Sequence, residues 1–307
     1  MADVDGFATV GIVSGGGALQ AHFVPDANML CHSLTHRGVQ LLHTGRGVQA
    51  YAARGKTMGI PLLHPWANRL SRRGYAAAGK EVTLPSPDGR YAVDPNGLPI
   101  HGALPGLLRW EVIETGATDR ISARLEWHAP ELMALFPFAH ELRIDALAGD
   151  AGLELVTTLR ATGDDAVPVS FGYHPYLRPP GDAPRPDWQV ALGATERLVL
   201  DDQMIPTGAT TALQARRFVL NGQSWDDGLA GLTSPPEFSV SAGDQTVTVT
   251  FDDGFAYAQV FAPEGQDFIC FEPMTAPTNA LEDGSALTLV APGEEYRTAF
   301  SIAVTDN

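Results

Sequence analysis

Leu142-Arg143-Ile144-Asp145-Ala146-Leu147 alternates apolar and charged side chains, and Leu153-Glu154-Leu155-Val156-Thr157-Thr158-Leu159 resumes the alternation after the turn Ala148-Gly149-Asp150-Ala151-Gly152. Side chains that change face at every residue place one face of a strand on a core and the other in water, and the Gly-Asp segment closes the two strands into a hairpin. The pattern recurs downstream. Phe238–Ser241 and Thr246–Phe251 flank Ala242-Gly243-Asp244-Gln245, and Leu287–Val290 and Glu295–Ile302 flank Ala291-Pro292-Gly293-Glu294. A further alternating strand is ISARLEW, Ile121–Trp127. Each of the three turn-linked pairs is expected to form a hairpin.

Helical signals are poor: the best candidate, Pro130–Leu135, is stopped by Pro137. No fixed-length repeat emerges that would suggest a propeller or solenoid. The expected fold is therefore all-β, a large antiparallel β-sandwich built from many short strands. The Pro-rich stretches 179–186 and 235–236 read as loops within that body, and with no linker in view residues 1–307 read as one domain.

Charge narrows the partners. The 307-residue chain carries 36 acidic and 20 basic side chains, a formal net charge of −16, and polyphosphate or anionic-membrane surfaces would repel it. Neither nucleic acid nor membrane is expected as a partner, and no apolar run approaches the roughly 18 residues of a spanning helix. Two distant cysteines, Cys31 and Cys270, make no disulfide framework, and MADVDGFATV has no basic n-region. A cytoplasmic protein is expected. Oligomeric state is not legible.

Four segments break the strand pattern and set ionisable groups among Pro, Gly and aromatic residues. They are GIPLLHPWANRL (59–70), LPIHG (98–102), FGYHPY (171–176) and CFEPMT (270–275). Proline beside His174 and beside Glu272 restricts the backbone, which suits a pre-organised site whose pKa values burial can tune. Taken singly, a His or Glu before Pro is an ordinary packed loop or turn residue. The set is more informative than its members.

PLLHPWANRL, LPIHG, GYHPY and FEPMTAPTNAL, in this order and spacing, resemble the aldose 1-epimerase (galactose mutarotase-like) family from about Gly11 to Val304. The resemblance implies that family's supersandwich, in agreement with the alternation. It implies His174 as general acid, Glu272 as general base, and Asn68, Arg69 and His101 as contacts to sugar oxygens. It also implies an Asp after an aromatic residue in a short acidic segment. Trp225-Asp226-Asp227-Gly228 fits, with Asp226 in the better register and Asp227 as the fallback.

The implied activity is mutarotation, the interconversion of the α and β anomers of a free aldose. It takes a proton from the O1 hydroxyl, delivers one to the ring oxygen, and recloses the open aldehyde on its other face. A carboxylate base and an imidazolium acid suffice for this, so neither cofactor nor metal is expected. Glu272 is expected to be ionised and His174 protonated near neutral pH, each favouring the other's charge. Galactose-type members of that family carry a stacking aromatic in an insertion before the Glu. Here Val260–Gly265 runs almost directly into Glu272, which argues against galactose preference. Phe261, Trp66 and Tyr173 are the stacking candidates, each equally readable as core.

Two alternatives stay open. Arg69, Arg72 and Arg73 could gather a phosphate, as in a hexose-6-phosphate 1-epimerase, or lie solvated at a strand edge. The same scaffold could bind or sense a sugar without turning it over. Gly15-Gly16-Gly17 lacks the spacing of a nucleotide loop, and Cys31-His32 with His36 has no accompanying ligand motif.

Overall fold

The hairpin that anchors the sequence reading sits in the middle of the larger sheet. In the computed structural model, which describes residues 3–114 and 118–306, His140–Gly149 pairs antiparallel with Gly152–Ala161 along its whole length. Around it runs a nine-stranded antiparallel sheet in the order Glu111–Glu114, Arg120–Trp127, His140–Gly149, Gly152–Ala161, Glu295–Asp306, Gln245–Asp253, Glu237–Ser241, Gln189–Ala191, Arg217–Val219. The expected pairing of Phe238–Ser241 with Thr246–Phe251 is present, with Phe238 opposite Val249.

The third expected hairpin does not form. Thr288–Val290 pairs with Val167–Val169 instead, while Glu295–Asp306 runs between Gly152–Ala161 and Gln245–Asp253. Both partners of the long C-terminal strand offer alternating apolar faces over eight or more residues. The three-residue segment beyond the turn cannot compete with that continuous burial, and alternation within a strand does not specify its partner.

A second, eight-stranded sheet packs against the first. Along its path lie Pro206–Ala212, Ala194–Leu200, Trp225–Leu232, Tyr257–Ala262, Ile269–Met274, Gly172–Tyr173 and Leu62–Leu63, and Tyr176–Leu177 pairs beside Ile269–Met274. The core lies between the sheets. Phe238 of the first is 5.8 Å from Phe271 of the second, ring to ring, and Tyr173 is 4.9 Å from Phe300. Both pairs are buried, and each such aromatic contributes about 1.5–3 kcal/mol by leaving water. The Tyr173 hydroxyl is satisfied inside this core by Thr157 Oγ1 at 2.5 Å.

Period two in the second sheet then decides where the chemistry can be. Phe271 is opposite Val260 and both face the core, so Glu272 and its partner Gln259 face the other way. That outer face is roofed by 62–70 and 99–103. His64 and Gly102 form a parallel bridge, Arg69 and Ile100 an antiparallel one, and the Ala103 N–H donates to the His64 carbonyl at 2.9 Å. The His64–Pro65 peptide is cis. Gly102 is required at this contact: its φ is +73°, and a Cβ there would stand 2.1 Å from the His64 oxygen. Pro130–Met133 is one short helix, as expected, and a second, Val48–Arg54, gave no clear sequence signal. Among the described residues no helix is long and apolar enough to cross a membrane.

Candidate functional site

Four chain segments distant in sequence meet under the roof. His174 leaves the second sheet between Gly172–Tyr173 and Tyr176–Leu177, and its Nε2 lies 3.2 Å from Glu272 Oε1. Both side chains are almost wholly buried, at 6% and 2% exposure. Tyr176 stacks on the His174 ring at 4.5 Å and 7°, fixed in turn by its hydroxyl on Thr57 Oγ1 at 2.6 Å. His101 meets His174 edge to face at 5.6 Å. It reaches that position through a left-handed backbone (φ +64°), with its N–H donating to the Asn68 carbonyl at 2.9 Å.

Arg69 is held from three sides. Its Nε donates to Asp94 Oδ2 at 2.9 Å, its Nη1 donates to Asn68 Oδ1 at 2.9 Å, and its Nη2 stands 3.8 Å from Asp226 Oδ2. Asp226 accepts from Gln259 Nε2 at 2.6 Å, and Gln259 lies directly across from Glu272. Asp226 therefore belongs to the face that carries Glu272. Asp227, one residue on, turns to the opposite face and stands 3.4 Å from Arg197 Nε. His174, Glu272, His101, Arg69, Asn68 and Asp226 are thus brought to one place, and Asp227 is not.

The stacking candidates separate as cleanly. Trp66 is fully buried and Tyr173 is a core residue bonded to Thr157. Phe261 is half-buried, lies opposite Asp226 on the same sheet face, and meets the His174 ring at 5.7 Å and 75°.

Electrostatics correct one expectation. Burial works against an ionised Glu272 beside a protonated His174. Burial holds the Glu272 carboxyl well above the usual carboxylate range, Asp226 adds to the rise, and Arg69 opposes it. Burial likewise holds His174 well below the usual imidazole range, with His101 adding to the fall. Desolvation is the first cause of both shifts, and each disfavours the charged form. For a single proton shared between the two groups, burial favours the carboxyl. His101 is kept neutral as well, pushed down to about 3 by burial and then by Arg69.

Three residues here escaped the sequence reading. Asp94 looks like a turn residue in Asp94-Pro95-Asn96-Gly97, and its Oδ1 does accept the Asn96 and Leu98 N–H groups, yet its Oδ2 holds Arg69. Gln259 is the lone amide in YAQVFA, a polar intrusion that could have flagged it. Tyr176 stood inside a quoted motif but was given no role.

The proposed phosphate cluster is occupied by carboxylates. Arg72 donates to Glu282 through Nε at 2.8 Å and Nη2 at 2.9 Å, and to Glu81 at 3.0 Å. Arg73 donates to the Pro85 carbonyl. Cys31 is buried, its thiol pushed up to about 12, and among the described residues no group of three or more His, Cys, Asp or Glu has the geometry to hold a metal ion.

Comparison with known proteins follows the same lines. A model of the aldose 1-epimerase family matches residues 30–303. The uncharacterized protein YihR of Escherichia coli K12 is 24% identical over 259 residues, covering 79% of this chain and 80% of its own. Among solved structures, the Slr1438 protein of Synechocystis sp. PCC 6803 superposes with a TM-score of 0.81 at 22% identity, over 100% of this chain and 99% of that one. A galactose mutarotase-like protein of Clostridium acetobutylicum gives 0.82 at 15% identity, over 98% and 99%. A putative aldose 1-epimerase of Escherichia coli K12 gives 0.77 at 17%, over 98% and 100%. At these identities the structural likeness establishes the fold.

Proposed function

The chain belongs to the aldose 1-epimerase family, and from that premise we propose that it interconverts the anomers of a free aldose, with Glu272 and His174 as the catalytic pair. The observation that carries the reading is the 3.2 Å contact between a buried carboxyl and a buried imidazole, set between the sheet face that bears Asp226 and the roof that bears Arg69 and His101.

The chemistry starts from the shared proton. Moving it from Glu272 to His174 Nε2 creates a carboxylate and an imidazolium without changing the net charge of the pair. Glu272 then accepts the proton of the O1 hydroxyl as the C1–ring oxygen bond breaks, and His174 donates its proton to the departing ring oxygen. The product is the open aldehyde. Rotation about C1–C2 presents the other carbonyl face, and closure returns both protons by the reverse path. Arg69, held rigid by Asp94 and Asn68, lies where it opposes the rise in the Glu272 pKa and so favours the carboxylate the base requires. In this arrangement Asn68 positions Arg69, since its side-chain oxygen is engaged there. Phe261 supplies the apolar wall for the sugar's C–H face.

A free sugar is favoured over a hexose 6-phosphate because two carboxylates neutralise Arg72. A sugar binder without turnover has no use for a carboxyl and an imidazole buried in direct contact. The test is exchange NMR or polarimetry on freshly dissolved α-glucose and α-galactose with the wild type and His174→Gln. Rates above buffer that vanish in the variant support the proposal. Rates equal to buffer for all common aldoses refute it, and saturable binding without acceleration establishes the non-catalytic alternative.

A further inference from the structure

Of the three histidines in the four segments that break the strand pattern, His64 alone takes no part in the candidate site. Its ring reaches the larger sheet instead, where Nε2 lies 2.9 Å from Nε2 of His140, the first residue of His140–Gly149. Both side chains are buried, at 2% and 1% exposure, in a box of aromatic rings. Trp127 stacks on His140 at 5.3 Å and 17° and meets His64 edge to face at 5.0 Å, with Phe136 and Phe171 beside them.

Hydrogen-bond chemistry fixes the direction of the His64–His140 contact. His140 Nδ1 lies 2.7 Å from the Phe138 carbonyl, which can only accept, so Nδ1 carries a proton. Burial holds both imidazoles below their usual range, so each is neutral near neutral pH and has one N–H. His140 Nε2 is therefore an acceptor, and the proton between the rings belongs to His64 Nε2. His64 Nδ1 is left as a bare lone pair, buried and without a partner among the described residues. Desolvating two imidazoles and leaving one nitrogen unpaired is unfavourable, and apolar side chains would avoid it. What they would not supply is a bond of fixed direction between the roof and the larger sheet.

The backbone of His64 is joined to the candidate site. Its carbonyl accepts the Ala103 N–H, and its parallel bridge to Gly102 is too close for any Cβ. His101 comes directly before Gly102 in the chain, and its ring lies 5.6 Å from that of His174. A shift of His64 is thus passed to His101 through Gly102.

We propose that His64 is a positioning residue: the bond from its Nε2–H to His140 sets the roof, and with it the His101 imidazole, over the Glu272–His174 pair. The catalytic consequence rests on the mutarotase reading, and the placement of His101 does not.

The test compares His64→Leu, which fills the space without a donor, with His64→Gln, whose amide donates from nearly the same point. Mutarotation of the aldose turned over fastest and proton–nitrogen correlation spectra of the histidine rings are both recorded on the full-length protein. Wild type should show His140 protonated at Nδ1 and His64 at Nε2. His64→Leu should shift the His101 ring signals and lower kcat at least about tenfold, with KM within about twofold, because a misplaced group loses interactions made in the transition state. His64→Gln should return both toward wild type, which a volume or folding defect would not explain. A wild-type His64 protonated at Nδ1, a measurement that needs no variant to fold, overturns the proposal. So do His101 signals unmoved in His64→Leu, or a loss of kcat that His64→Gln leaves unrepaired. Wild-type rates equal to buffer refute the mutarotase reading, and the spectra then decide the placement of His101 by themselves.

Discussion

Replacing Glu272 by Gln should remove activity and raise stability, and the gain should grow with pH. Gln keeps the shape and the contact to His174 Nε2 at 3.2 Å, so the substitution changes ionisation with little change in packing. In the folded chain burial raises the Glu272 pKa well above its unfolded value near 4.3. A raised carboxyl contributes stability that is fully present below the unfolded pKa and is lost as pH rises through the folded one. Over that window the unfolded chain releases a proton that the folded chain retains, and wild-type stability falls by about 1.4 kcal/mol per pH unit relative to a chain without the group. His174 is common to both proteins and held neutral in both, so the difference isolates the carboxyl. Urea unfolding at pH 5, 6 and 7 should therefore show Glu272→Gln gaining on the wild type as pH rises, by at most about 1.4 kcal/mol per unit and only up to the folded pKa. Mutarotation of α-glucose should fall by about 10²–10⁴, the contribution of a positioned acid or base. Parallel stability curves for the two proteins would mean that Glu272 is ionised in the fold, and the proton-sharing argument would fail. Near-wild-type turnover in the variant would remove Glu272 from the mechanism.

Other expectations follow from the same geometry. His140, which accepts or shares the 2.9 Å bond to His64 and lies 2.7 Å from the Phe138 carbonyl, is pushed down to about 4 by burial. A lowered imidazole contributes stability present above about 6.5 and lost as pH falls, so wild type should lose up to about 3 kcal/mol relative to His140→Gln between pH 6.5 and 4, read by urea unfolding. Asp94→Asn keeps the turn acceptor but removes the charge from Arg69 Nε, and kcat/KM for the preferred aldose should drop about 10- to 100-fold while the unfolding midpoint moves little. If Asp94 served the turn alone, kcat/KM would be unchanged. Phe261→Ala should raise KM several-fold with a smaller effect on kcat, and an unaltered KM would exclude it as the sugar's apolar wall.

Much of the architecture could be read from local pattern. Alternation at 142–159 and 238–251 identified real hairpins, because a one-residue slip would turn every apolar side chain outward. The same logic failed at 287–302. Turn chemistry there proposes a hairpin, but the long strand finds more burial with two distant partners and leaves 288–290 to pair with 167–169. In the candidate site, His174 and Glu272 were legible because each stands beside proline in a segment that breaks the strand rhythm. Asp94 was not, because its sequence environment is fully explained by the turn it caps.

By itself, then, the sequence determined the strand periodicity, the all-β class, the excess of negative charge and the identity of the ionisable groups placed among prolines and aromatics. Only the tertiary structure decided which groups meet and what charge they carry there. Register puts Asp226 with Glu272 and turns Asp227 toward Arg197, a choice that two adjacent aspartates cannot reveal. Packing selects Phe261 over Trp66 and Tyr173 as the aromatic side chain left facing the site. Enclosure beneath the 62–70 and 99–103 segments raises the pKa of the Glu272 carboxyl and lowers that of the His174 imidazole. A pKa depends on the water removed around a group, and that is set by segments far away in the chain.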